Sequence, residues 1–316
     1  MSDERPNSIN NIAVIGAGLM GHGIAQEFAS AGFSVYLHDI TEEQLNVACV
    51  LIEQNLALLA EHDVVDRSDI PDIMQRVNTT DELAAATENA DFVIEAVTEN
   101  LPLKQQIFEK LDNLCQPHTI LASNTTALMP SQIGVNTNRQ DRVLNAHYFN
   151  PPYLIPLVEL IRSPATSDET VSITYNLMKR IGKTPAIIEK EAPGFVGPRL
   201  QAALIREAFS IVEQGIASAE TVDLVVRNSF GRRLSVAGPF EVFELAGWDL
   251  VLAAFEELYK DLNSSSEINP LLREMVNSDR LGVKSGEGFY QWTTEKQEAL
   301  RTRMSQALIR AIQENE

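Results

Sequence analysis

Short apolar runs alternate with helical patterns from Asn11 to about Lys190. Most of the runs are almost continuously apolar, which is typical of parallel strands covered on both faces. The predicted strands are IAVIG (12–16), SVYLHD (34–39), DFVIEAV (91–97), TILASN (119–124), RVLNAHYF (142–149), LVELI (157–161) and TPAIIEK (184–190). Strands that alternate with helices predict an α/β domain with a doubly wound, mostly parallel sheet.

The pattern changes after EAPGF (191–195) and is then helical almost throughout. Apolar residues recur at helical spacing in residues 199–217, 218–230 and 238–262, and the terminal segment 293–316 is amphipathic. We therefore predict two domains: a sheet domain over residues 1–192 and an all-helical second domain over residues 193–316.

The charge and composition limit the possible partners. The 316-residue chain carries a formal net charge of −19. Phosphate backbones and anionic membranes repel so acidic a protein, so neither nucleic acid nor a membrane is an expected partner. Residues 1–10 hold no apolar core of a signal peptide, and no run approaches a membrane span. With only two cysteines, Cys49 and Cys115, a disulfide framework is not expected, and we predict a cytoplasmic protein.

Three glycines, Gly16, Gly18 and Gly21, directly follow the first predicted strand and open a helix. In a dinucleotide-binding turn, the first glycine allows the tight turn and the second lets the backbone approach a pyrophosphate. The third lets the helix pack close to the strand. A glycine turn without a ligand is the alternative, which the flanking strand and helix disfavour. The pattern predicts a Rossmann-type cofactor loop that also contains Leu19 and Met20.

Asp39 ends the second predicted strand, where the choice of cofactor is made. A carboxylate at this position accepts hydrogen bonds from both ribose hydroxyls and repels a 2′-phosphate. Residues 40–43 supply no arginine that could hold such a phosphate. NAD is therefore predicted rather than NADP, with a role for Asp39 as a helix N-cap as the alternative.

His147 and Glu159 lie twelve residues apart in an otherwise apolar stretch that contains NPPY (150–153). A dehydrogenase needs a base for the hydroxyl proton, and a histidine beside a carboxylate suits that role near neutral pH. A turn at NPPY would fold the two predicted strands back on each other. The spacing alone is equally consistent with a buried histidine whose hydrogen bonding a glutamate satisfies.

Motifs along the whole chain resemble those of the 3-hydroxyacyl-CoA dehydrogenase family. They are GAGLMG, EAVTENLPLK, ASNTT, AHYFNPP, VELI, APGFVGPRL and GVKSGEGFY. The resemblance implies that His147 is the general base and Glu159 its partner, which favours the catalytic interpretation of this pair. It also implies that Thr126, where the family has a serine, and Asn150 contact substrate or cofactor.

The same resemblance implies that Glu99, Lys104 and Lys284 bind the cofactor. A surface ion pair between Glu99 and Lys104 is the alternative for those two residues. Lys284 could instead be a solvated turn residue. No metal ligand is among the predicted site residues.

Two departures from the family pattern concern the substrate. The family motif PGFxxNRL places an asparagine near the reacting carbonyl, whereas this chain has Pro198, which has no N–H and no hydrogen-bonding side chain. Gly197–Pro198 is instead well suited to start a helix. In fatty-acyl members a basic hairpin binds coenzyme A, but the corresponding residues 41–74 are acidic and lack lysine.

These departures favour a small free acid as the substrate. The stretches 128–131, 150–160 and 231–241 resemble the L-gulonate 3-dehydrogenase and lambda-crystallin branch, and GVKSGEGFYQWTTEKQEAL resembles a branch acting on pyridine carboxylic acids. We therefore expect an NAD-dependent dehydrogenase that oxidises the 3-hydroxyl of a small hydroxy acid to a ketone. Arg233 is the predicted carboxylate ligand, although it could instead cap the helix ending at Phe230.

Other functions stay open at this point. One alternative is a 3-hydroxyacyl-CoA dehydrogenase of fatty-acid metabolism, acting for example on 3-hydroxybutyryl-CoA. Another is a non-enzymatic, crystallin-like protein, which the presence of His147, Glu159, the three glycines and Asp39 disfavours. The family resemblance further implies a homodimer formed through the helical second domain.

Overall fold

An eight-stranded sheet organises the first part of the chain, and the computed structural model describes residues 9–314. The strands are β1 (Asn11–Ile15), β2 (Ser34–His38), β3 (Val77–Thr80), β4 (Phe92–Glu95), β5 (Ile120–Ser123), β6 (Val143–Tyr148), β7 (Leu157–Arg162) and β8 (Thr184–Ile188). Their order is β3-β2-β1-β4-β5-β6-β7-β8, and only the β6–β7 pair is antiparallel. The predicted doubly wound, mostly parallel sheet is confirmed, whereas the expectation for residues 1–10 lies mostly outside the described residues.

Helices connect the strands and then continue alone to the end of the described chain. Between the strands lie α1 (Gly21–Ser30), α2 (Glu42–Glu61), α3 (Ile70–Gln75), α4 (Leu83–Thr87), α5 (Leu101–Leu114), α6 (Pro130–Ile133) and α7 (Asp168–Arg180). After β8 come α8 (Gly197–Glu213), α9 (Ala219–Asn228), α10 (Phe230–Leu234), α11 (Pro239–Ala246), α12 (Trp248–Leu258), α13 (Pro270–Asn277) and α14 (Thr294–Gln313). Within residues 9–314, none of these helices is long and apolar enough to cross a membrane.

The continuous apolar runs follow from burial on both faces of the sheet. In β1, Ile12 and Val14 enter one buried apolar cluster, while Ala13 and Ile15 enter a second one. Helices on each face cover these clusters, so a central strand has no polar face. The sequence pattern did not predict β3, because this edge strand, VNTT, is only partly buried and has no apolar run.

The described chain forms two compact units. The first comprises the residues up to Pro198 together with those from Arg303 onward, and the second comprises Arg199–Thr302. In the second unit, the predicted helical stretch 238–262 divides at Gly247 into α11 and α12. The φ of Gly247 is 91°, a conformation that glycine adopts readily and other residues rarely do.

The predicted terminal helix is α14, and its last turns belong to the first unit. Ile309 is buried in a small apolar cluster with Leu59 and Leu154. The side-chain amide of Gln313 donates a hydrogen bond of 2.6 Å to the carbonyl of His62. The amphipathic pattern of this helix therefore corresponds to packing within the chain.

Candidate active site

The predicted site residues of the first unit gather at one edge of the sheet. Strands β1, β2, β4, β5 and β6 are parallel, so their carboxyl ends lie on the same side. A predicted site residue follows or ends each of these strands, namely Gly16, Asp39, Glu99, Thr126 and His147 in that order. Doubly wound sheets bind their ligands at this edge.

Two of the three loop glycines are required by the protein itself. Gly16 has a φ of 102°, and a Cβ built on it would lie 2.9 Å from the carbonyl carbon of Ala96. A Cβ on Gly21 would overlap the carbonyl oxygen of Gly16. Around Gly18 no atom lies within 4 Å of a built Cβ, and Leu19 beside it is 68% exposed. The loop thus leaves open space at Gly18, which fits an approaching pyrophosphate.

Asp39 is attached to the glycine loop. Its Oδ2 accepts a hydrogen bond of 2.8 Å from the N–H of Ala17, and its Oδ1 accepts one of 2.8 Å from the N–H of Ile40. The N-cap of α2 is Thr41, whose hydroxyl accepts from the N–H of Gln44. The alternative role of Asp39 as a helix N-cap is therefore wrong.

Lys104 is a buried residue beneath the site. Its side chain is 1% exposed, and its Nζ donates to Glu95 Oε1 at 2.7 Å and to the carbonyl of Val97 at 3.2 Å. Glu99 Oε2 lies 3.6 Å from the same Nζ. A surface ion pair between Glu99 and Lys104 is therefore excluded. Glu95 was not among the residues predicted from the sequence, although a glutamate inside the apolar run FVIEAV was a usable signal.

Glu99 holds the loop after β5 that carries Thr126. Its Oε1 accepts hydrogen bonds from the Thr125 hydroxyl and from the N–H groups of Thr126 and Ala127, at 2.5, 3.2 and 3.1 Å. Thr126 itself is exposed at the sheet edge. One carboxylate thereby connects the loops that follow β4 and β5.

His147 and Glu159 are direct partners across the antiparallel β6–β7 pair. Residues in register on adjacent strands present their side chains on the same face. The Nδ1 of His147 lies 2.9 Å from Glu159 Oε2, and the two side chains are 6% and 2% exposed. The contact predicted from the NPPY turn is present.

The second oxygen of Glu159 is bonded to the start of α8. Oε1 accepts hydrogen bonds from the N–H groups of Val196, at 3.2 Å, and Gly197, at 2.8 Å. Burial acts to raise the pKa of Glu159, but the hydrogen bonds from His147 and the two backbone N–H groups outweigh it and hold this pKa below its ordinary value. Glu159 is therefore an ionised carboxylate at neutral pH. As predicted, Pro198 stands in the first turn of α8.

Two phenylalanine rings contact the imidazole of His147. Ring centroids lie 4.7 Å away for Phe149 and 5.8 Å away for Phe195. Phe195 is buried with a φ of 47°, a left-handed conformation that is unusual for a residue with a side chain, and Gly194 before it has a φ of 72°. Neither ring contact was predicted from the sequence.

The NPPY turn is held by an ion pair of which the lysine is buried and the glutamate partly buried. Lys183 Nζ donates to the carbonyl of Pro152 at 2.6 Å and pairs with Glu27 on α1. A Cβ on Gly23 of the same helix would lie 2.6 Å from the Pro152 ring. Asn150 is exposed at the beginning of this turn. Nothing in the sequence indicated that Glu27 and Lys183 would meet.

Lys284 and Arg233 lie in the second unit. Lys284 is exposed between β-bridge residues Gly282 and Glu287. Arg233 is exposed in the last turn of α10, and its side chain makes no hydrogen bond or ion pair with residues 9–314. Because α9 ends at Asn228, the expected helix end at Phe230 is wrong. The ligand roles of Lys284 and Arg233 stay predictions.

The sheet order, the glycine loop and Asp39 together are typical of a dinucleotide-binding domain. Residues 11–192 match the model of the 3-hydroxyacyl-CoA dehydrogenase NAD binding domain, and residues 194–292 match that of the 3-hydroxyacyl-CoA dehydrogenase C-terminal domain. The chain belongs to the 3-hydroxyacyl-CoA dehydrogenase family and is an oxidoreductase whose cofactor is NAD.

Similar proteins are named either for a hydroxyacyl-CoA or for a pyridine carboxylate. A probable 3-hydroxybutyryl-CoA dehydrogenase of Bacillus subtilis is 39% identical over 285 residues, which are 90% of this chain and 98% of the relative. The 5-formyl-3-hydroxy-2-methylpyridine 4-carboxylate 5-dehydrogenase of Mesorhizobium japonicum is 33% identical over 305 residues, covering 95% and 96% of the two chains. The crystal structure of a 5-formyl-3-hydroxy-2-methylpyridine 4-carboxylic acid 5-dehydrogenase, an NAD+-dependent dismutase, has a sequence 30% identical to that of this chain. It superposes with a TM-score of 0.89 over 96% of this chain and 97% of its own.

We expect Lys104→Met to destabilise the first unit, because it leaves the buried Glu95 carboxylate without its cation. Breaking a buried pair in this way costs roughly 3–5 kcal/mol of unfolding free energy. Urea denaturation at neutral pH measures the change, and Lys110→Met, on the exposed face of the same helix α5, is the matched control. Equal stability of the two variants would contradict a structural role for Lys104.

Proposed function

We propose that the protein oxidises the 3-hydroxyl of a small hydroxy acid to a ketone, with His147 as general base and Glu159 as its partner. The observation that carries this proposal is the buried 2.9 Å contact between His147 Nδ1 and an ionised Glu159. A base with a fixed orientation, next to a negative charge that stabilises its protonated form, is what alcohol oxidation requires.

The orientation of His147 decides which nitrogen is the base. An ionised Glu159 only accepts hydrogen bonds, so Nδ1 is the protonated nitrogen and donates a hydrogen bond to Oε2. Nε2 is then unprotonated and accepts the proton of the substrate hydroxyl. Bound NAD supplies the acceptor for the hydride that leaves C3 of the substrate. Glu159 stabilises the imidazolium that results, because the pair is withdrawn from water.

The cofactor contacts are proposed from the glycine loop and from Asp39. Residues 16–21, including Leu19 and Met20, surround the open space at Gly18, where a pyrophosphate would meet backbone N–H groups. Asp39 would accept from the ribose hydroxyls. For Lys104, whose Nζ is buried among protein oxygens, we propose an indirect role through Glu99. Lys284 is proposed as a further cofactor ligand on the family resemblance alone.

Thr126 and Asn150 are proposed to contact substrate or cofactor beside His147. Both are exposed at the sheet edge and follow strands β5 and β6. Glu99 holds the backbone at Thr126, and the ion pair of Lys183 holds the turn after Asn150. Their side chains are therefore presented on fixed backbone, as positioning of a substrate requires.

A free carboxylate is the proposed substrate class. The stretch 41–74 begins with α2, whose first turn carries Glu42 and Glu43, and no lysine precedes Lys104 in the chain. Such a surface repels the phosphates of coenzyme A. The likeness to a protein named for a pyridine 4-carboxylate, with a TM-score of 0.89, supports the same choice.

Oxidation of a 3-hydroxyacyl-CoA is the second candidate. It is favoured by the 39% identity to a relative named as a probable 3-hydroxybutyryl-CoA dehydrogenase. The reacting group and the base would be the same, so the two candidates differ only in what holds the rest of the substrate. Initial rates with 3-hydroxybutyrate, gulonate and 3-hydroxybutyryl-CoA, followed as NADH absorbance, separate them.

Both cysteines are unpaired, which supports the expected cytoplasmic compartment. Cys49 is partly buried on α2, and Cys115 is buried at the end of α5. Burial raises the pKa of the Cys115 thiol to about 11, so this group is an unreactive thiol at neutral pH.

We expect His147→Asn to lower turnover by roughly a hundred- to ten-thousandfold, because the base is lost. NAD affinity, measured by protein fluorescence, should stay nearly unchanged, since the imidazole acts on the substrate. Turnover close to that of the native protein would contradict the assignment of the base. Glu159→Gln is the companion variant: its turnover should also fall, because the negative charge that stabilises the protonated base is lost.

We expect Arg233→Ala to raise the Michaelis constant for a free hydroxy acid by roughly tenfold or more, the usual effect of losing a charge-assisted hydrogen bond. The methyl ester of the same acid should be affected little, because it has no carboxylate to lose. Arg232→Ala is the matched control, since Arg232 is the exposed neighbour on α10. Equal effects on acid and ester, or a native preference for the CoA ester, would favour the second candidate.

We propose that the second unit pairs with a second copy of the chain. Of the side chains in residues 199–302, only those of Ser210, Val251 and Met275 are buried. Large apolar side chains stay exposed there, including Val236 at 87%, Phe240 at 75% and Leu245 at 90%. A helical unit with so small a core needs a partner to cover its apolar surface.

We expect Leu245→Glu to shift the protein from dimer to monomer, because a charge would be placed on the proposed apolar contact. Light scattering after size-exclusion chromatography gives the molar mass. Val50→Glu, an equally drastic change at a 52% exposed position of α2 in the first unit, is the control. A native protein that is already monomeric would exclude the dimer.

A further inference from the structure

Gly197, the first residue of α8, makes two contacts beside the His147–Glu159 pair. Its N–H donates a hydrogen bond of 2.8 Å to Glu159 Oε1. Its α-carbon faces the ring of Phe149, and a Cβ built on it would overlap the Cζ of that ring and lie 3.2 Å from Cε1. The residue is thus adjacent to Glu159 on one side and to Phe149 on the other.

The ring of Phe149 in turn lies against the imidazole, with centroids 4.7 Å apart and planes inclined by 57°. A side chain at position 197 would occupy the space of this ring. Since Phe149 is only partly buried, its ring could turn away from such a side chain. The position of the ring beside His147 therefore depends on the absence of a Cβ at residue 197.

Backbone conformation does not explain the glycine. The described glycines with positive φ are Gly16, Gly32, Gly182, Gly194, Gly215, Gly247, Gly282 and Gly286, and Gly197 is not among them. Another residue could therefore adopt its backbone angles, and glycine is a poor helix former. The close approach to Phe149 remains as the physical reason for glycine at this position.

We propose that Gly197 is a positioning residue for the general base, which seats the Phe149 ring on the imidazole and holds Glu159 toward it. With Phe149 and Phe195 against its ring and Glu159 on Nδ1, the imidazole of His147 is held in one orientation. This inference rests on the proposed function of His147. It adds that a residue without a side chain keeps the base in its working orientation.

The test is Gly197→Ala, compared with Gly238→Ala. Gly238–Pro239 stands at the start of α11 as Gly197–Pro198 does at the start of α8, but a Cβ on Gly238 meets only Glu241 Oε2, at 3.5 Å. The first readout is the downfield proton NMR signal of the Nδ1–H bonded to Glu159, assigned by its absence in His147→Asn. The others are kcat with the best hydroxy acid and the affinity for NAD.

In Gly197→Ala the downfield signal should weaken or disappear, and kcat should fall roughly ten- to a hundredfold, the scale expected for a misplaced catalytic group. NAD affinity and the circular dichroism spectrum should not change. Gly238→Ala should match the native protein in every readout. An intact signal with native kcat in Gly197→Ala would overturn the proposal.

Phe149→Ala tests the route of the effect. If the added Cβ acts through the ring, Gly197→Ala should change kcat by less than about twofold once the ring is absent, because the two sites are directly coupled. An equal loss in both backgrounds would overturn the proposal. If Gly197→Ala does not fold, Phe149→Leu replaces it in the test. An unchanged downfield signal in Phe149→Leu would overturn the proposal.

The NMR readout separates this inference from the proposed function, because it needs no substrate. If His147→Asn retains turnover while Gly197→Ala loses the signal, the base assignment fails and the positioning of the imidazole by Gly197 stands. If His147→Asn is inactive and Gly197→Ala keeps both signal and kcat, the base assignment stands and the positioning role fails.

Discussion

The Glu159 carboxylate is almost completely withdrawn from water, and an unpaired charge in such a place costs several kcal/mol. Three donors offset this cost, namely the imidazole of His147 and the N–H groups of Val196 and Gly197. The first donor exists because β6 and β7 are antiparallel and in register. The other two exist because the chain turns into α8 at this point. The pairing of β6 with β7 and the start of α8 therefore both supply hydrogen bonds to the Glu159 carboxylate.

The same principle recurs at two other places under the sheet edge. Glu95 is paired with Lys104 below the loops that carry Glu99 and Thr126, and Glu27 is paired with Lys183 below the NPPY turn. Three of the four side chains are buried and Glu27 is only 14% exposed, so each charge depends on its partner. Since backbone groups are bonded to the same side chains, the loops that present the site are held by charges as well as by apolar packing.

The chemistry and the substrate class rest on different parts of the chain. The family matches extend from residue 11 to residue 292. The residues proposed for NAD binding and for proton transfer lie in the first unit, with the exception of Lys284. The features that favour a free acid are departures from the family, at Pro198 and in the acidic stretch 41–74. A relative named for an acyl-CoA and one named for a pyridine carboxylate are both similar along most of their length. Family membership therefore determines the type of reaction more firmly than the substrate.

The sequence by itself determined most of the features whose cause is local along the chain. Continuous apolar runs predicted seven of the eight strands, since central strands are buried on both faces and the edge strand β8 is also apolar. The polar edge strand β3 was not predicted. The glycine loop and Asp39 were predictable because a turn, a helix start and a strand end have fixed spacings. The sequence also paired His147 with Glu159, since one short turn separates their strands.

The tertiary structure alone decided which distant groups share a buried space. The burial of Lys104, the pairing of Glu27 with Lys183, and the contact of Gly197 with Phe149 join residues from different elements of the fold. Sequence spacing carries no information about such contacts, because they arise only when strands and helices pack. For the same reason, the local pattern predicted that His147 and Glu159 meet, but not that the glycine and the two aromatic rings surround them.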